Sequence, residues 1–222
     1  MRPTRALILA AGRGERMRPL TDTTPKPLLC VGGRPLIVWH LQKLAAAGVS
    51  QVAINTSWRG DALRAALGDG STHGVAIHWF EEGPEPLETA GGIRNALALF
   101  GGEPFAVVNG DVWSDLPLPP PVPAPGRLGH LVLVPNPVQH PRGDFALECG
   151  ELRLTGPIRY TFAGIATYRP ALFEALLPGR RALKPVLDLA AAAGLVTAEV
   201  YGGRWVDVGT PERLAQLDAS LA

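Results

Sequence analysis

The chain has 222 residues, of which 46% are hydrophobic and 18% charged, and its formal net charge is +1. That length can bury a sizeable core without disulfide staples and suits one α/β domain. The near-neutral balance excludes a strongly basic nucleic-acid binder and an acidic, disordered chain.

The apolar run near the N-terminus is too short to span a bilayer and is followed by arginines. Neither a membrane anchor nor a signal peptide is read, and a cytoplasmic location is expected. Residues 6–11 are continuously apolar, the pattern of a parallel strand covered on both faces. Residues 35–47 carry helical periodicity, with Pro35 at the start and Gly48 just past the end. Strands are expected over 51–55 and 75–80, on either side of a short helix over 60–67. A helix over 91–100 leads to a strand over 104–108. This alternation predicts a Rossmann-like, doubly wound, mostly parallel but mixed sheet.

Residues 115–126 read DLPLPPPVPAPG. Such a run suits neither a helix nor an interior strand, and an extended polyproline spacer across the surface is expected. Further strands are expected over 130–134, 145–148, 151–155, 161–168 and 197–200, and helices over 171–177 and 184–193. A last helix begins at Pro211, with Thr210 as its N-cap. Cys30 and Cys149 show no metal-ligand spacing and are expected to be small buried hydrophobes. His40, His73, His78, His130 and His140 show neither metal nor triad spacing, so structural or surface roles are expected.

The loop after the first strand reads LAAGRGERMRP. Gly12 and Gly14 let the backbone turn tightly, and consecutive N–H groups in such a turn form an anion-binding nest. Arg13, Arg16 and Arg18 add forked donors suited to phosphate oxygens. The alternative is a structural turn with solvated arginines. The P-loop pattern is absent, and the dinucleotide fingerprint ends on Met17 where its third glycine would stand.

The longer string resembles the signature of the sugar-1-phosphate nucleotidyltransferases. Leu9-Ala10-Ala11-Gly12, Gly14, Arg16-Met17, Pro19-Leu20-Thr21 and Pro25-Lys26-Pro27 all match it. The similarity continues through PLETAGGI (86–93), VNGDVWSD (108–115), RGDFAL (142–147), FAGIATY (162–168) and WVDVGTPERL (205–214). The resemblance implies a single GT-A-like nucleotidyltransferase domain over 1–222. Its nucleotide-binding half would be about 1–111 and its sugar-binding half about 112–222. The implied reaction joins a sugar 1-phosphate to a nucleoside triphosphate with release of pyrophosphate. No general base is needed, because the attacking phosphate is already ionised near neutral pH.

Asp111 and Asp207 each suit a cap or a turn. Their match to the family's two metal positions implies that they hold one divalent cation, Mg²⁺. The resemblance likewise places Lys26 on the α-phosphate and sugar phosphate, and Arg16 on the β- and γ-phosphates. The backbone from Ala11 through Gly12, Arg13, Gly14 and Glu15 to Arg16 would cradle the triphosphate. Glu88, Gly91 and Gly92, in the segment PLETAGG, would belong to the nucleotide site, the two glycines letting a flat base approach, and Asn109, Gly143 and Asp144 would hold the sugar. A plain turn is the alternative for Gly143-Asp144.

Glu88 stands where guanylyl and thymidylyl relatives carry glycine, which points to the muramate-type branch of the family. That branch implies UTP as donor, N-acetylmuramate 1-phosphate as acceptor and a place in cell-wall sugar recycling. The acceptor's lactyl carboxylate needs a cationic or backbone N–H partner beside Asp144, for which Arg142 is the candidate and a solvated arginine the alternative. Guanylyl transfer to mannose 1-phosphate, uridylyl or thymidylyl transfer to a hexose 1-phosphate, and a catalytically inactive nucleotide-sugar sensor are the alternatives. The chain ends soon after its last helix, so no appended acetyltransferase domain is expected. No nucleic acid, membrane or protein partner is expected.

Overall fold

A computed structural model describes residues 2–221. The first half contains β1 (Arg5–Leu9), α1 (Leu20–Thr23), β2 (Cys30–Val31), β3 (Arg34–Pro35), α2 (Leu36–Ala46), β4 (Gln51–Thr56), α3 (Gly60–Leu67), β5 (Ala76–Glu81), α4 (Glu88–Ala96) and β6 (Phe105–Asn109). There follow β7 (Val112–Ser114), β8 (Gly129–Val134), β9 (Phe145–Glu148), β10 (Glu151–Arg153), β11 (Arg159–Tyr168), α5 (Leu183–Ala192), β12 (Val196–Val200), β13 (Trp205–Asp207) and α6 (Pro211–Leu221). No helix among the described residues is long and apolar enough to cross a membrane.

Nine strands form one sheet in the order β5-β4-β1-β6-β11-β8-β12-β10-β9. β5, β4, β1 and β6 are parallel, as the β–α alternation requires. β11 runs antiparallel to both β6 and β8, which makes the sheet mixed. Strands from both halves of the sequence therefore share one sheet.

Period-two alternation sends successive side chains to opposite faces. Ala6 and Ile8 of β1, Val52 and Ile54 of β4, and Ala106 and Val108 of β6 pack on one face with Ile37, Leu41 and Leu44 of α2 and Leu63 and Leu67 of α3. Leu7, Ala53, Phe105 and Val107 pack on the other face with Ile93 of α4 and Leu187 of α5. A third cluster joins Met17, Leu29, Trp113, Val208 and Leu217, and fixes the loop after β1 and α6 to each other.

Three expectations need correction. Cys30 and Cys149 are both exposed. Cys149 lies in the β9–β10 turn at φ 50°, and Cys30 sits on a two-residue strand whose burial falls on Val31. Residues 171–177 do not form an α-helix. A single 3₁₀ turn, Pro170–Leu172, is followed by bonds from Phe173 N–H to Pro170 O and from Leu176 N–H to Phe173 O. Leu172, Phe173 and Leu176 still pack against the core, but Pro178 and Gly179 follow exposed Leu177 directly and stop a longer helix.

The proline-rich strap is extended, as expected, but it is packed. Leu116 and Leu118 are buried, Thr167 Oγ1 donates to Pro120 O at 3.1 Å, and Arg169 Nη2 donates to Pro123 O at 2.9 Å.

Two local features yield predictions. His40 on α2 is buried; desolvation and the Lys43 ammonium push it down from its ordinary 6.5 to about 4, against the raising influence of Val112 and Asp111. The folded state therefore holds this imidazole neutral, and stability is lost as pH falls from 6.5 toward 4. Denaturant titrations should show a loss of about 2 kcal/mol between pH 7 and 5 from this group. Burial also pushes His130 down, and it adds a smaller slope. His40→Gln should flatten the greater part of the slope; an unchanged slope would contradict the assignment.

Glu88 begins α4 at φ 59°, a left-handed conformation that costs a non-glycine residue roughly 1–2 kcal/mol. Glycine is therefore the residue the backbone favours here. Glu88→Gly should be neutral, or stabilising by up to about 1 kcal/mol, where glycine in a helix usually costs about 1 kcal/mol. A loss of that size in urea unfolding would contradict the strain argument.

Candidate active site

β1 and β6 end side by side, with Leu9 opposite Asn109. Gly110 N–H donates to Leu9 O at 2.8 Å, and a Cβ at Gly110 would lie 2.8 Å from that oxygen. Glycine thus lets the chain turn over β1 and bring Asp111 to the carboxyl ends of the parallel strands, where open α/β sheets bind ligands. β7 then pairs antiparallel with β13, with Val112 opposite Asp207, and Val208 N–H donates to Asp111 O at 3.0 Å. This pairing brings two aspartates that are distant in sequence into one wall. Both line a cavity of about 290 Å³, together with Arg16 and Asn109.

The loop after β1 is shaped by Gly14, at φ 64°. A Cβ there would lie 2.9 Å from Thr21 Cγ2 and 3.2 Å from Lys26 Cβ. Thr21 Oγ1 donates to Gly14 O at 2.8 Å, and buried Met17 anchors the turn. Around Gly12 the space is open: a Cβ there would meet nothing within 4 Å. Gly12 to Arg16 line a cavity of about 510 Å³ with Lys26 and Asp111. The three arginines separate by contact. Arg13 Nη2 donates to Pro84 O at 2.8 Å, and Arg18 pairs with Asp22 at 3.3 Å. Arg16 lines the groove on both sides of Asp111.

The two carboxylates each hold a cation. Lys26 Nζ lies 2.6 Å from Asp111 Oδ2, with side-chain exposures of 8% and 37%. Pro25 and Pro27 flank this lysine in a 3₁₀ turn that leaves its backbone little freedom. A buried ammonium needs such a partner, and removing the partner of a buried pair costs about 3–5 kcal/mol. Arg213 Nη1 lies 2.6 Å from Asp207 Oδ2. Gly209 makes room for it, since a Cβ there would collide with Arg213 Nη2. Sequence reasoning missed Arg213; its only signal is its place in the first turn of the helix after Asp207.

No cluster of three or more His, Cys, Asp or Glu side chains among the described residues could hold a metal. Two hard carboxylates on one cavity wall still fit Mg²⁺, which takes one or two protein oxygens and completes its shell with water and substrate phosphates.

A chain of hydrogen bonds stiffens the wall next to the loop. Ala10 N–H donates to Asn55 Oδ1 at 2.7 Å, Asn55 Nδ2 to Glu82 Oε1 at 2.7 Å, and Leu87 N–H to Glu82 Oε2 at 2.7 Å. The adjoining cavity of about 200 Å³ is lined by Ala11, Gly12, Lys26, Glu88 and Asp111 among others. Gly91 and Gly92 lie off this wall. A Cβ on Gly91 would lie 2.5 Å from Gly179 O, and one on Gly92 would lie 2.6 Å from Glu82 Oε1 and 2.7 Å from Asn55 Nδ2. They are glycine for the protein's own packing.

Asn109 lines three adjoining cavities. It is accommodated by Gly164, at φ 72°, where β11 slips register and a Cβ would lie 2.6 Å from Asn109 Nδ2. Asp144 lines the third cavity, of about 420 Å³. It accepts from Phe162 N–H at 2.8 Å and lies 3.1 Å from His140 Nε2. Gly143 serves the turn: at φ 58°, its Cβ would lie 2.5 Å from Asn136 Oδ1. Arg142 is exposed and lines none of these cavities; its carbonyl accepts from Arg159 Nε at 3.0 Å. The cation on the third cavity's wall is Lys184, which sequence reasoning passed over.

Residues 5–124 match the Nucleotidyl transferase family. An N-acetylmuramate alpha-1-phosphate uridylyltransferase from Neisseria meningitidis is 47% identical, over 97% of this chain and 97% of its own. A protein of the same name from Caulobacter vibrioides is 32% identical, over 99% of this chain and 98% of its own. A crystal structure from Bacillus anthracis, assigned to glucose-1-phosphate thymidylyl transfer, superposes with a TM-score of 0.82 at 22% identity over 98% of this chain and 94% of that one, a likeness of fold. With its groove formed by the loop after β1, Lys26 and the paired aspartates, the chain belongs to the nucleotidyl transferase family, among the sugar-1-phosphate nucleotidyltransferases.

Proposed function

We propose that this enzyme transfers the uridylyl group of UTP to N-acetylmuramate α-1-phosphate, releasing pyrophosphate, in the cytosol and in the service of cell-wall sugar recycling. The observation that carries the reaction type is the convergence of Arg16, Lys26, Asp111 and Asp207 on one groove. The full-length similarity to two uridylyltransferases supports the substrate pair.

In this reading an oxygen of the sugar phosphate attacks the α-phosphorus of UTP. The bond from that phosphorus to the β-bridging oxygen breaks, and its electron pair leaves with pyrophosphate. Alignment and charge neutralisation do the work, since the nucleophile is already an anion. The N–H groups of residues 11–16 cradle the triphosphate, and Arg16 holds the β- and γ-phosphates. Lys26 sits where the α-phosphate and the sugar phosphate meet, and its pairing with Asp111 aims the ammonium in the free enzyme. Asp111 and Asp207 would hold Mg²⁺, which when bound supplies positive charge against the triphosphate.

The base rests against the wall stiffened by Asn55 and Glu82, and the sugar occupies the side of Asn109 and Asp144. The division into a nucleotide half, about 1–111, and a sugar half, about 112–222, follows this layout. Glu88 and Thr89 border both cavities.

The test is a kinetic panel that follows pyrophosphate release with Mg²⁺ present. With UTP, kcat/KM should be highest for N-acetylmuramate 1-phosphate, above N-acetylglucosamine, glucose and mannose 1-phosphates; GTP and dTTP should be poorer donors. Chelation should abolish turnover. Preference for mannose 1-phosphate with GTP would overturn the substrate pair and leave the reaction type standing.

A further inference from the structure

We propose that Lys184 is the residue that selects an acidic acceptor, by receiving the carboxylate of its lactyl ether. This rests on the acceptor proposed above. N-acetylmuramate differs from N-acetylglucosamine by that ether on the third carbon, which adds one methyl group and one negative charge. A closed site must meet the charge with a partner or bear its desolvation cost.

The cavity of about 420 Å³ beyond Asn109 has an apolar side, made by Phe145, Phe162 and Leu187, that suits the faces of a sugar and its methyl groups. Its two carboxylates are already engaged. Glu88 Oε1 accepts from Arg180 Nε at 2.8 Å, and Asp144 is held by Phe162 N–H and His140. A third carboxylate entering this space would meet only like charge, were it not for Lys184, the basic side chain on its wall.

The present state of Lys184 suits that role. Its ammonium lies 4.7 Å from the centroid of the Phe145 ring, another part of the cavity wall. It pairs with Asp188, one turn along α5, at 2.5 Å, and its side chain is 50% exposed. Such exposed i,i+4 pairs are weak, so exchange of Asp188 for a substrate carboxylate costs little. The flexible stem allows the short movement needed. Arg180 is the nearest competitor. It does not line the cavity, and its side chain, paired with Glu88, is 70% exposed.

Lys184→Met keeps the apolar stem over Phe145 and removes the charge. With UTP, this variant should lose about tenfold or more in kcat/KM for N-acetylmuramate 1-phosphate, chiefly through KM, the change expected for a lost charge-assisted contact. Its kcat/KM for N-acetylglucosamine 1-phosphate should stay within about twofold, and Lys184→Arg should keep most of the discrimination. An equal fall for both acceptors, no fall for either, or the same selective loss in Arg180→Met with Lys184→Met unaffected would overturn the assignment. The wild-type comparison of the two acceptors tests the acceptor reading separately, because its outcome does not depend on any variant.

Discussion

Two carboxylates on one groove wall, Asp111 in the turn before β7 and Asp207 on β13, call for compensating charge, and much of this molecule is arranged around that constraint. The β7–β13 pairing, closed by the bond from Val208 N–H to Asp111 O, forces Asp111 and Asp207 into one wall. Lys26 reaches the first from the loop after β1, and Arg213 reaches the second from α6. These two cations enter from opposite ends of the sequence. The cluster of Met17, Leu29, Trp113, Val208 and Leu217 underlies both approaches, so packing and electrostatics fix the same segments. The result is a groove whose fixed charges nearly cancel in the free enzyme.

Preorganisation of the groove is carried by polar groups behind it. Asn55 and Glu82 bond the loop after β1 to the segment before α4, and Gly92 exists to leave room for them. Gly164 does the same for Asn109 on the opposite side. The Asn55 and Glu82 bonds hold backbone rather than substrate, which is what transition-state alignment demands of a reaction with no proton to move. Glu88 is the exception. It occupies a backbone position suited to glycine and faces both cavities, so its side chain is kept against a local strain.

The alternating β and α segments and the glycine-rich turn after β1 were legible in the sequence, because each is written in adjacent residues, whereas Lys26, Asp111 and Asp207 were singled out by resemblance to the family. A mixed sheet was expected, but not which strand reverses, since the antiparallel run of β11 between β6 and β8 depends on pairings distant in sequence. The same holds for the site. Gly91 and Gly92 read as room for a base, yet the atoms they make room for belong to Gly179, Glu82 and Asn55. Arg142 stands beside Asp144 in sequence, but the turn at Gly143 carries it away from the cavity, while Lys184 arrives from α5. The exposure of Cys30 and Cys149 follows from a short strand and a tight turn that composition does not signal.

The central claim is that Asp111 and Asp207 act together as one divalent-cation site completed by the triphosphate. Its most direct test is a titration of Mn²⁺, followed by electron paramagnetic resonance in the presence of a non-hydrolysable UTP analogue. The wild-type protein should bind one ion. Asp111→Asn, which preserves a hydrogen-bonding partner for the buried Lys26, and Asp207→Asn should each weaken that binding by about tenfold or more. Unchanged affinity and stoichiometry in both variants would contradict the account.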